Sequence, residues 1–185
     1  MKPKALVLCA NGSEEMEVVI PVDMLRRGGV DVTLASVNPG AITGSRGIRL
    51  TPDAELDESM QADALVLPGG LGGVEEFLAS PRVHRVVKAH AAAGAWVCAI
   101  CAAPLVLEAC GLLDGVKAFT SHPGVAERFE PQLQARYSQE RVVLSGRILT
   151  SRAPGTAFEF AAAILRLLQG EKVVETVHRN VLYLP

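Results

Sequence analysis

Short uninterrupted apolar runs, each stopped by glycine, proline or asparagine, alternate along this chain with segments of helical spacing. Residues 5–10 form the first run, with no polar interruption, as in a parallel strand covered on both faces. Asn11-Gly12-Ser13 then turns the chain, and Ser13 is placed to cap a helix that starts at Glu14-Glu15. That helix should reach Arg26-Arg27 and stop at Gly28-Gly29, with acids at its start and bases at its end to match its dipole. Pro21 falls inside it and cannot donate the hydrogen bond owed to the Glu17 carbonyl. Two readings stand: a tolerated kink, or a helix bent so that Glu17 is held in an unusual position.

The alternation continues. Residues 30–37 read as a strand closed by Asn38-Pro39-Gly40, and residues 41–50 as small edge strands or a hairpin. Residues 64–67 form another buried strand, ending in Pro68-Gly69-Gly70. Ser80-Pro81 caps a helix to Ala93, stopped by Gly94. A run over 95–100 meets Cys101, after which small residues and Pro104 open a helical run over 102–110, ended by Gly111. Residues 116–120 read as a short strand with Ser121-His122-Pro123 at its end. Residues 142–144 and 147–150 flank Ser145-Gly146 as a hairpin, and Pro154-Gly155 leads into a helix over 156–168. Strands alternating with helices throughout predict a doubly wound α/β sandwich with no internal repeat or domain boundary.

Composition changes that picture little. In 185 residues, 49% hydrophobic and 21% charged content suit a globular α/β chain rather than long disordered tails. A net charge of −2, scattered Lys and Arg and only 4% aromatics argue against sequence-specific nucleic-acid binding. The apolar stretch near the N-terminus is too short for a signal peptide, which argues against export. Residues 91–107 are uncharged, but Gly94 and Pro104 break them, so a buried strand and helix are expected and no membrane span. Four cysteines without a disulfide pattern point to a reducing, cytoplasmic compartment.

The chemistry gathers at Cys101. A strand turning sharply into a helix exposes one side chain at the sheet's C-terminal edge, where the first helical N–H groups favour negative charge. A thiol there is expected to ionise below its free value of about 8.5. Glycines directly after a strand, as at Gly69-Gly70, let backbone N–H groups approach a ligand at that same edge. Neither nucleotide-binding glycine pattern is present, and Pro68-Gly69-Gly70-Leu71-Gly72-Gly73 fits neither. Cys98 and Cys101 have metal-ligand spacing, but no second pair completes a tetrahedral set, so no metal is expected. Cys98 lies within the strand and should project to the opposite face as a small apolar filler, as should Cys9 and Cys110. His84, His90 and His178 read as helix-surface residues, whereas His122 falls at the Cys101 edge.

Five motifs then occur in order: Ala5-Leu6-Val7-Leu8, Gly12-Ser13-Glu14-Glu15-Met16-Glu17, Leu67-Pro68-Gly69-Gly70, Ala99-Ile100-Cys101-Ala102-Ala103-Pro104 and Thr150-Ser151-Arg152-Ala153-Pro154-Gly155-Thr156. Together they resemble the ThiJ/PfpI superfamily, and within it the DJ-one branch of parkinsonism-associated deglycases and their bacterial relatives. The resemblance implies a flavodoxin-like sandwich with a mainly parallel sheet, one domain over 1–185, and a homodimer. It implies Cys101 as nucleophile, Glu17 as its protonated partner and His122, the histidine near the cysteine, as a third catalytic residue. Gly70 and Ala102 match positions whose N–H groups form an oxyanion pocket, and Arg46 an arginine of the dimer and anion-binding region. The implied activity needs no cofactor: glyoxalase III-type conversion of 2-oxoaldehydes, or deglycation of their early adducts with proteins or nucleotides, in stress protection. The alternative is a redox sensor or chaperone using the same cysteine. Two departures count. Ala102 stands where protease-like members carry histidine, which removes the base next to the nucleophile. Thr51 stands where the human-type branch tends to have cysteine, and Cys98 is not a family feature, so redox behaviour resting on extra cysteines does not carry over.

Overall fold

The structure, a computed structural model, describes residues 2–183. Seven strands form one sheet: β1 Lys4–Cys9, β2 Asp31–Ser36, β5 Ala54–Glu55, β6 Ala64–Leu67, β7 Trp96–Ile100, β8 Val142–Ser145 and β9 Ile148–Ser151. Their spatial order is β5-β2-β1-β6-β7-β9-β8, and every pairing is parallel except β8 with β9. A separate two-stranded antiparallel hairpin joins β3 Ile42–Thr43 to β4 Arg49–Leu50. The helices are α1 Glu15–Arg27, α2 Leu71–Ala79, α3 Pro81–Ala92, α4 Pro104–Ala109, α5 Pro131–Gln134, α6 Ala157–Gln169 and α7 Glu171–Asn180.

The unbroken apolar runs are explained by two cores. Successive strand residues point to opposite faces, and here both faces are covered. Leu6, Leu8, Leu65, Leu67, Val97 and Ala99 pack with Phe77, Val83, Val86 and Val87 from α2 and α3. Ala5, Val7, Ala64, Val66, Cys98 and Ile100 pack with Val18, Leu25, Phe160 and Ile164 from α1 and α6. Each fully buried Leu or Phe here contributes roughly 1.5–3 kcal/mol. Cys101 follows β7 at the edge where the six parallel strands end.

Several local expectations need correction. Glu14, not Ser13, caps α1: Glu14 Oε2 accepts the Glu17 N–H at 2.9 Å, while Ser13 Oγ accepts the Ala10 N–H at 3.0 Å. The helix passes through Pro21 without a break. Residues 116–120 form no strand; Phe119 makes only an isolated bridge to Tyr137. The turn after Cys101 delays α4 to Pro104, and a 3-10 turn at Pro154–Thr156 delays α6 to Ala157. Helices α2, α5 and α7 and the short β5 were not expected. His90 is buried, not on the surface, with Nδ1 2.8 Å from the Val86 carbonyl. Residues 91–107 divide into the end of α3, all of β7 and the start of α4, and among the described residues no helix is long and apolar enough to cross a membrane.

Candidate active site

Cys101 is the first residue past β7, and its backbone sits in the left-handed region at φ 65°. A non-glycine residue there costs roughly 1–2 kcal/mol. Three neighbours hold it: its N–H donates to the Ser151 carbonyl at 2.9 Å, its carbonyl accepts the His122 N–H at 2.8 Å, and Ala103 N–H folds back to the Ile100 carbonyl at 3.0 Å. The left-handed turn breaks strand alternation. Cys98 and Cys101 consequently lie against the same α1/α6 core and not on opposite faces. Cys98 is fully buried and burial pushes its thiol up, as befits a filler, whereas Cys101 keeps partial solvent access.

Glu17 comes to this thiol from the first turn of α1 and is completely buried. Its Oε2 accepts the Gly69 N–H at 2.7 Å, its Oε1 is buried with no hydrogen-bond partner, and the neighbouring Cys101 thiol pulls its pKa down. Burial pushes the Glu17 carboxyl up to about 8, against the pull of the Gly69 and Cys101 hydrogen bonds. Gly69 must be glycine here: a Cβ would lie 2.6 Å from both the Cys101 Cβ and Glu17 Oε2. Gly70, at φ 82°, and Ala102 flank Cys101, and their backbone N–H groups pull the Cys101 thiol pKa down.

The expectation of a simply depressed thiol pKa is overturned. Burial and the Glu17 charge push Cys101 up to about 12, while the Gly70 and Ala102 N–H groups pull it down. Only α4, six residues long and starting at Pro104, lies beyond the turn, too short and too late to outweigh burial. Two acids share one enclosed site and cannot both ionise readily, so they titrate as a pair. With the proton on Glu17, the repulsion disappears and its O–H becomes a donor to a sulfur anion already favoured by two N–H groups. With the proton on sulfur, Glu17 is the base. One proton shared between a thiol and a carboxyl is the chemical resource of the site.

His122 and Arg46 are placed less directly. His122 is exposed; its backbone N–H supports Cys101, but ring Nδ1 accepts the Gly124 N–H at 3.0 Å and the ring has no hydrogen bond to Cys101 or Glu17. Arg46 is exposed on the β3–β4 hairpin and contributes its backbone N–H, at 2.7 Å, to Glu15 Oε1. Glu15 itself is a residue that sequence reasoning missed. It also accepts the Ile48 N–H at 3.2 Å and the Ser45 hydroxyl at 3.2 Å. Burial pushes its carboxyl up, but the Arg46, Ile48 and Ser45 donors outweigh this and hold it below the usual range. Glu15 thus fastens the hairpin to the start of α1, two residues from Glu17. In the Glu14-Glu15 pair only the match to the helix dipole was legible; a three-donor clamp from residues thirty further on leaves no local signal. Arg152 was also unassigned: it follows Ser151, its Nη1 donates to the Gln139 carbonyl at 3.0 Å, and its Nε is buried without a partner.

Met16 and Val19, one helical turn apart on α1, and Ile48 on the hairpin are exposed large apolar residues close to this site. Among the described residues no three His, Cys, Asp or Glu side chains gather as a metal site would require.

The chain is similar to known proteins along nearly its whole length. The pattern described as the DJ-1/PfpI family matches residues 3–167. Protein dj-1beta of Drosophila melanogaster is 42% identical over 188 residues, covering 98% of each chain. The glutathione-independent glyoxalase DJR-1.2 of Caenorhabditis elegans is 33% identical over 171 residues, covering 91% of this chain and 90% of that one. The crystal structure of Drosophila melanogaster DJ-1beta superposes with a TM-score of 0.92 at 39% identity, covering 100% of both chains.

Proposed function

The chain belongs to the DJ-1/PfpI family, and from that premise we propose that it is a cofactor-free, cysteine-dependent enzyme acting on 2-oxoaldehydes such as methylglyoxal. The observation that carries this reading is the shared proton: a buried Glu17 with its carboxyl raised to about 8, paired with a Cys101 thiol whose pKa two backbone N–H groups pull down. The Cys101 thiolate attacks the aldehyde carbon to give a hemithioacetal, and the Gly70 and Ala102 N–H groups hold the oxyanion. Glu17 gives its proton to this oxygen and, now a carboxylate, takes the proton from that carbon and returns it to the neighbouring carbon, while the hydroxyl proton passes to the neighbouring oxygen, which becomes the product hydroxyl. The product is a thioester on Cys101. Water cleaves it to a 2-hydroxy acid and restores the thiol, so one aldehyde and one water give one acid with no external oxidant. Arg46 and His122, both exposed, serve substrate binding more than proton transfer.

Early adducts of the same aldehydes with protein or nucleotide amines present the same carbon pair, and deglycation is the second form of this activity. The rate on free methylglyoxal against a glycated substrate that releases no free aldehyde separates the two. The whole of residues 1–185 acts as one domain in the cytoplasm, in stress protection. It works as a homodimer, and the exposed Met16, Val19 and Ile48 beside the clamped hairpin support an apolar contact between copies.

A sensor or redox-regulated chaperone is the second reading, favoured by the same donors: Gly70 and Ala102 N–H groups and a protonated Glu17 also suit a Cys101 sulfinate. Methylglyoxal loss measured with wild type, Cys101→Ser and Glu17→Ala tests the enzyme reading; undiminished turnover in Cys101→Ser overturns it. Selective gain of two oxygens on Cys101 under mild peroxide, with negligible aldehyde turnover, favours the sensor.

A further inference from the structure

A cavity lies at the opposite end of the sheet from Cys101, lined by residues at the start of β1, β7 and β9. It has a volume of about 720 Å³, within the usual range for small-molecule sites. Its floor is built where parallel strands begin. Asp63 N–H donates to the Lys4 carbonyl at 2.9 Å and its Oδ2 accepts the Lys4 N–H at 2.8 Å; Trp96 N–H bonds the Asp63 carbonyl, and Val97 N–H the Arg147 carbonyl. Three cations line it, Lys2, Lys4 and Arg147, against one carboxylate, Asp63, which already accepts a backbone N–H. Among the described residues none of the three cations is in an ion pair. The Arg147 guanidinium is laid over the Trp96 ring at 4.3 Å from its centroid, which fixes its plane and leaves its N–H edge free.

The opposite wall has the other sign. The C-terminal end of α6, at Leu167 to Gln169, lines the cavity, whereas the Ala89, His90 and Ala91 carbonyls at the end of α3 already accept the N–H groups of residues 93–95. Helix C-termini present carbonyl oxygens without intrahelical partners and the negative end of the dipole. A ligand that satisfies both walls carries an anion at one end and hydrogen-bond donors at the other. Three separated cations favour a tetrahedral dianion with three terminal oxygens over a carboxylate with two. We propose that this cavity binds a phosphate monoester with a hydroxylated body, such as a sugar or polyol phosphate. Five residues of strand at about 3.3 Å each separate Trp96 from Cys101, roughly 16 Å, so the site stands independently of the chemistry at the thiol.

Trp96 is the only tryptophan in the chain, so its fluorescence reports this cavity alone. Titration with sorbitol 6-phosphate, which has no carbonyl to react at Cys101, should give a saturable change, weaker at high salt because the cations are exposed. Inorganic phosphate should bind more weakly and sorbitol not at all. Arg147→Gln should weaken sorbitol 6-phosphate about tenfold, the scale of one charge-assisted hydrogen bond, and Cys101→Ser should leave it unchanged. A flat titration into the millimolar range, or equal affinity in Arg147→Gln, overturns the site. Equal affinity for inorganic phosphate and the ester overturns the hydroxylated-body part and reduces the cavity to a general anion patch.

Discussion

Strand β7 has a different chemistry at each end. At its C-terminal end it delivers Cys101 into an enclosed place with one buried acid, two backbone donors and a strained turn. At its N-terminal end it delivers Trp96 into an open cavity with three exposed cations. The same five residues of apolar strand, Trp96–Ile100, hold both. Enclosure makes the difference. Where water is excluded, a single proton is worth orders of magnitude in rate and several side chains cannot change without loss. Where water has access, charges are screened and single substitutions are nearly silent.

That contrast can be broken most severely at Cys101, the proposed nucleophile. Cys101→Ser should lower methylglyoxal turnover by roughly three orders of magnitude or more, with folding retained by far-ultraviolet circular dichroism; turnover within tenfold of wild type would put the chemistry elsewhere. Glu17→Gln comes next, with a loss of roughly 10²–10⁴-fold and an opposite effect on stability. The Glu17 carboxyl is raised from 4.5 to about 8 in the folded chain, so the folded state binds its proton more tightly than the unfolded one. Its stabilising contribution is complete below the unfolded value and is lost as pH rises to about 8. Denaturant unfolding of Glu17→Gln should therefore show a stability advantage that grows between these values and then levels off. A constant difference across that window contradicts a neutral buried Glu17.

Gly69→Ala puts a methyl 2.6 Å from Cys101 Cβ and Glu17 Oε2. It should cost about 1–3 kcal/mol and reduce turnover more than tenfold, with thermal melting and kinetics as the checks. Glu15→Ala leaves three donors of the hairpin unpaired and should cost about 2 kcal/mol, seen as lost amide protection at Arg46 and Ile48. At the far end, Arg147→Gln should change stability by no more than about 0.5 kcal/mol and leave aldehyde turnover untouched. A large loss there would join the two ends that the structure keeps apart.

The two ends also differ in what the amino-acid sequence reveals. The Cys101 end is legible because its parts are local: an apolar run, a cysteine, small residues and Pro104 announce a strand-to-helix turn, and Gly69-Gly70 announces close backbone approach. Glu17 is legible as a partner only through the family resemblance, because Pro21 marks a distorted helix without saying what faces it. The direction of the Cys101 shift is not legible in the sequence, since burial and a second acid are properties of the packed site. Glu15 is invisible in the same way, its donors arriving from the hairpin. At the Trp96 end nothing was legible, because Lys2, Lys4, Trp96 and Arg147 come from three different strand starts and make a site only when the sheet is assembled. Helix α7 escaped notice for a simpler reason: only Val174 and Val177 are buried in a polar segment, too few to mark a face.

The shared proton can be read directly from the rate of Cys101 alkylation by iodoacetamide as a function of pH, in wild type and Glu17→Gln. Wild type should rise in one step near 8, level off, and rise again toward 12, because the first proton lost belongs to the pair and the second is held against an existing charge. Glu17→Gln should show a single step. Superimposable single-step curves for the two proteins would contradict the account.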